Sequence, residues 1–108
     1  MSRSLGLRLS DIRRSAARLE GIAADRERFL ADPVLQDAAA YNLLAIGEAC
    51  SHLPEDLKAS LPGIPWQAIR GLRNLLAHEY FVLDPVLLHQ TAVGNIPLLV
   101  QALEGLGE

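Results

Sequence analysis

Two Asp-Pro dipeptides, Asp32-Pro33 and Asp84-Pro85, constrain this chain more than any other feature. An aspartate before a helix accepts hydrogen bonds from the free backbone N–H groups of the first turn. A proline just inside that turn gives up an N–H that has no partner anyway. Each dipeptide therefore closes one segment and opens a helix. Pro54 and the run "LPGIP" at 61–65 add two further breaks.

Between these breaks apolar residues recur at helical spacing, and no stretch alternates with period two. There is no Asn-Gly or Asp-Gly hairpin signal. The expected class is all-α. Residues 9–31 predict an amphipathic helix with Ile12, Ala16, Leu19, Ala23 and Leu30 near one stripe. Residues 33–53 predict a second helix, apolar over a wide arc through Leu35, Ala38, Ala39, Ala45, Ile46 and Ala49, and hence central. "PEDLKAS" from Pro54 predicts a short helical turn, with acids at the end where the helix dipole favours them. A fourth helix is expected from Pro65 to Tyr80. A last one should run from Pro85 to Leu106, with Val86, Val93, Ile96, Val100 and Leu103 facing inward and a kink at Pro97. Short connections make sequential helices antiparallel neighbours. The expected architecture is an up-and-down four-helix-type bundle with one extra short helix and a Pro-kinked last helix. At 108 residues the chain should form a single domain spanning 1–108.

Composition narrows the function. The net charge of -3 gives no global pull toward nucleic acid or anionic membrane. Seven of the ten basic residues lie between Arg3 and Arg28, and Lys58 is the only basic group in residues 29–69. Beyond Lys58, Arg70 and Arg73 are the only lysines or arginines, so any attraction for RNA must be local. No uninterrupted apolar run approaches the roughly 18 residues of a membrane span. "MSRSLGLRLSD" has no signal-peptide apolar region. A cytoplasmic protein without membrane contact is expected. Cys50, the one cysteine, reads as a small buried hydrophobe in a reducing compartment.

The fourth helix carries an unusual polar set in "IRGLRNLLAHEYFVLDP", residues 69–85. On a helical wheel with Ile69 at zero, Leu72, Leu75 and Leu76 form the buried stripe. Arg73, Arg70, Asn74 and His78 follow at about 40°, 100°, 140° and 180°. They make a continuous arc beside and opposite the core face. Each has an ordinary structural reading: a snorkelling arginine, a tolerated mid-helix asparagine, a histidine satisfying the last carbonyls. Tyr80, near 20° on the same wheel, reads first as a core residue closing the helix. Glu48 and His52, four residues apart, could share a metal in principle. Nothing supplies the remaining ligands, so no metal site is expected, and Glu48 reads as the partner of an arginine or a support for the cluster. Trp66 reads as a core anchor, and His89 has no partner visible in sequence.

The order of these residues goes further. "RNLLAH" followed by "EY" resembles the R-x4-H-x-Y signature of the HEPN superfamily, and more narrowly the HepT-like ribonuclease toxins. "FLADPVLQDA" at 29–38, "IGEA" at 46–49 and "IPW" at 64–66 stand in the order expected there, so the resemblance covers nearly the whole chain. Tyr41-Asn42 departs from it, because relatives often carry a basic residue at that point. The resemblance implies a ribonuclease that needs no metal or other cofactor and uses the RNA 2′-hydroxyl as internal nucleophile. It implies that His78 acts as general base or acid, that Arg73 holds the scissile phosphate and that Asn74 orients the phosphate or His78. Arg70 would add phosphate contact. The resemblance also implies a homodimer, a partner nucleotidyltransferase acting as antitoxin, and Tyr80 as the acceptor of AMP from that partner. The spacing makes the dimer useful, since one helix sets Arg73 and His78 about 140° apart and two facing copies would pool both pairs. Against this stands a binding-module reading, a non-catalytic helical dimer that docks and regulates a nucleotidyltransferase. A third has Tyr80 as only a modification acceptor in a signalling pair.

Overall fold

The computed structural model describes residues 4–79 and 84–106, leaving aside the Glu79 side chain, and no strand occurs among the described residues. Helix α1 spans Leu5–Ile22 and buries Leu9, Ile12 and Leu19. It starts earlier than expected because the Ser4 side chain accepts from the Leu7 N–H. The single helix expected over 9–31 does not form. The Asp25 side chain accepts from the Arg28 N–H and restarts the chain as α2, Arg26–Ala31. That break turns Phe29 fully into the core, at 0% exposure. His89 consolidates it from across the bundle. Its buried ring lies 5.4 Å from the Phe29 ring, and Nε2–H donates to the Ala23 carbonyl at 3.0 Å. The partner that the sequence did not reveal is thus a free carbonyl at the end of α1.

Helix α3, Pro33–Ser51, opens on the Asp32 cap to the Val34 N–H and is central as expected. It packs against α1 on one side and against α5, Trp66–Glu79, on the other. Ala39, Leu43, Ile46, Ala49 and Cys50 supply its buried face. The short α4, Glu55–Ala59, bridges α3 and α5. Trp66 Nε1–H is shared between the Lys58 and Leu61 carbonyls at 3.0 and 3.1 Å, which pins the start of α5 to the end of α4.

The final segment opens as α6, Pro85–Gln90, with Asp84 capping the Val86 N–H. A π-helical turn follows over Thr91–Asn95, and α7 completes the chain over Ile96–Leu103. Pro97 has no N–H to return to the Val93 carbonyl, and its ring crowds that position. A widened turn over Thr91–Asn95 lies just upstream of the proline. The buried residues follow ordinary helical spacing, on a stripe next to the one expected. Val93 is 50% exposed, whereas Leu88, Ala92 and Leu99 join Ile96 and Leu103 in the core. Pro85–Leu103 is long and apolar enough to cross a membrane by length and composition, with mean hydropathy 1.3. In the fold one face packs on α1, α2 and α3, and 33% of that stretch is buried.

Candidate active site

The site is built where α5 lies against α3, and Gly47 permits the approach. A Cβ at residue 47 would stand 2.6 Å from Arg73 Cβ and 3.0 Å from its Cγ. The Arg73 stem therefore rests directly on the α3 backbone, and its head emerges beside Glu48. Glu48 Oε1 accepts from Arg73 Nε at 2.8 Å and from Nη2 at 2.6 Å. Arg73 Nη1 donates to Asn74 Oδ1 at 2.9 Å. A guanidinium has five N–H groups. These bonds leave one N–H on each terminal nitrogen uncommitted among the described residues. The cation is oriented, half-buried and still able to grip an anion with two donors.

The second carboxylate oxygen of Glu48, Oε2, lies 3.3 Å from His52 Nε2. The hydrogen bonds from Arg73 hold the Glu48 carboxyl below its usual range, against a smaller opposing effect of burial, with His52 adding to the lowering. Glu48 thus stays ionised and fixes Arg73. Among the described residues no three His, Cys, Asp or Glu side chains gather as a metal site.

Arg73, Asn74 and Glu48 are therefore joined in one network. Arg70 is exposed one turn nearer the start of α5. His78 is exposed in the last turn of α5 and makes no hydrogen bond or ion pair among the described residues. Five residues of helix set it about 7.5 Å from Arg73 along the axis, so a single copy does not converge the two. Tyr80 lies outside the described residues. Asn42, at the point of departure from the family pattern, is buried and donates Nδ2–H to the Ala38 carbonyl at 2.8 Å. Sequence reasoning gave Gly47 no role beyond its place in "IGEA", and saw in His52 only a rejected metal ligand. The signal was a small residue directly before Glu48 on a helix that must meet an arginine.

Beside the network, α5 and the α6–α7 segment leave an open apolar groove of about 780 Å³. Leu72 and Leu75 line one wall. Leu87 and Leu98, 43% and 65% exposed, line the other.

An all-helical bundle that presents an oriented arginine and, further along the same helix, an exposed histidine is a class of domain suited to phosphate chemistry. Comparison with known proteins specifies it. The chain matches the family described as Ribonuclease HepT-like over residues 12–106. It is 38% identical over 82 residues to "Putative RNase TTE0752" of Caldanaerobacter subterraneus subsp. tengcongensis, covering 76% of this chain and 71% of that one. It is 39% identical over 80 residues to "Probable ribonuclease HepT" of Thermococcus cleftensis, covering 74% and 73%. No solved structure matches it significantly. The chain belongs to the HepT-like ribonuclease family.

Proposed function

We propose that this protein is a metal-independent endoribonuclease toxin acting through Arg73 and His78 at the cleft of a homodimer. The observation that carries the reading is the Arg73 head, held by Glu48 and Asn74 with a donor left on each terminal nitrogen. Such a fork is matched to a phosphodiester. In the reaction the 2′-oxygen forms a bond to phosphorus and the P–O5′ bond breaks. One imidazole takes the 2′-proton, and a protonated one delivers a proton to the departing 5′-oxygen. Arg73 stabilises the charge that builds on the non-bridging oxygens. Two copies of His78 fill the two proton-transfer roles, and the dimer brings them to one phosphate. The apolar groove beside α5 supports the dimer, because its half-exposed leucines form a surface that a second copy would cover.

The family signature supports a nucleotidyltransferase partner that neutralises the toxin, with Tyr80 as acceptor of AMP. A phosphodiester on that tyrosine would add negative charge able to compete with RNA phosphate for the Arg73 donors. The test is cleavage of RNA by purified protein in excess chelator. Wild type should cut and should spare a strand lacking the 2′-hydroxyl at the cut site, and His78→Ala should not cut. Equal inactivity of both, with retained binding of a nucleotidyltransferase, would replace this reading with that of a docking module. Mass spectrometry of Tyr80 after incubation with partner and ATP checks the modification.

A further inference from the structure

A second cleft adjoins the Arg73–Glu48 network on the side away from His78. It is enclosed by the end of α3, by α4 and by the start of α5, with a volume of about 430 Å³. Ser51, Lys58, Trp66, Gln67 and Arg70 line it, and Gly47 joins it to the network. Lys58 is the only lysine in the chain, and its side chain is just 11% exposed. Its partner is Glu55 at 3.2 Å, a carboxylate whose own side chain is 87% exposed and held by little else. The stem of Lys58 is thus covered by the cleft wall, while its ammonium meets only an exposed carboxylate that another anion can replace. Arg70 brings a second cation to the same cleft, one helical turn or about 4.5 Å along the axis from Arg73. Gln67 adds an exposed amide. Ser51, whose hydroxyl donates to the Glu48 carbonyl at 2.7 Å, keeps acceptor capacity toward a ligand hydroxyl.

We propose that this cleft is the subsite for the RNA nucleotide next to the scissile phosphate, with Lys58 and Arg70 holding the neighbouring phosphate and Ser51 and Gln67 facing its sugar. The inference rests on the ribonuclease reading above and extends it from one phosphate to two. On binding, the flanking phosphate displaces Glu55, which swings into solvent. The positive charge of the cleft continues that of Arg73, so the strand runs across α5 from His78 toward α4. The proposal explains why a chain of net charge -3 places its lone lysine, with its side chain largely covered, in the same cleft as Arg70.

The experiment is fluorescence anisotropy with a short single-stranded RNA carrying 2′-O-methyl groups, which cannot be cut, titrated at several salt concentrations. Lys58→Gln should weaken binding about fivefold and reduce the log–log salt slope by about 0.7. Glu55→Gln alters only an exposed side chain and should tighten binding severalfold. It keeps the proposal testable if the Lys58 variant folds poorly. Unchanged affinity in both variants, while wild type binds and cleaves RNA, would overturn the subsite and leave the ribonuclease reading standing. A wild type that neither binds nor cleaves RNA would overturn both.

Discussion

Replacing Gly47 with alanine should loosen the α3–α5 contact on which the candidate site depends. The added Cβ would meet Arg73 Cβ at 2.6 Å, with Arg73 Cα at 3.5 Å behind it. The closest contact is about 0.8 Å short of ordinary van der Waals separation, and the obstacle is the root of a side chain rather than its flexible end. The two helices must therefore part or rotate. Overpacking of this kind costs about 1–3 kcal/mol. Alanine also favours a helix over glycine by up to about 1 kcal/mol, which works the other way. Gly21→Ala separates the two effects. Gly21 sits in α1 with nothing within 4 Å of its would-be Cβ, so that variant should show the propensity gain alone. Urea denaturation should place the Gly47 variant about 1–3 kcal/mol below the Gly21 variant, at unchanged m-value. Thermal midpoints should separate by at least about 4 °C. A parting of about 1 Å also stretches the Arg73–Glu48 bonds, so RNA cleavage by Gly47→Ala should fall while Gly21→Ala stays at wild-type level. Equal stabilisation by both substitutions would refute the argument that Gly47 exists to admit Arg73.

Three further outcomes follow from the same structure. The Glu48 carboxyl is lowered by Arg73, so its contribution to stability is present above the unfolded value of 4.5 and is lost as pH falls through the folded one; the wild-type advantage over Glu48→Gln in thermal melts should shrink below that pH. Burial pushes the Cys50 thiol from 9.0 up to about 12, so stability should decline as pH rises from 9.0 toward 12, and a thiol reagent at neutral pH should label Cys50 only after denaturation. Phe29→Ala removes a fully buried ring and should cost about 3–5 kcal/mol in urea denaturation, enough to leave much of the protein unfolded at elevated temperature.

The sequence by itself determined the helical class, the central second helix and most helix starts. The aspartate caps before Pro33 and Pro85 are local chemistry, settled by residues within one turn of each other. The restart at Asp25 was equally local but was masked by an apolar stripe that runs on through it. The family signature was also legible, since Arg73, Asn74, His78 and Tyr80 lie within a few residues on one predicted helix. Glu48 could be named as the partner of an arginine only by setting aside a metal site that lacked further ligands. Only the tertiary structure could say which arginine, since that depends on the register of α5 against α3, and the register depends on the absence of a Cβ at Gly47. The inward face of the last helix, Leu88, Ala92, Ile96, Leu99 and Leu103, was likewise chosen by packing from two apolar stripes that the sequence offers side by side. His89 found the Ala23 carbonyl across 66 residues of chain. Short-range rules specify where helices begin, but side-chain partners on different helices are chosen by packing, which the linear order of residues does not contain.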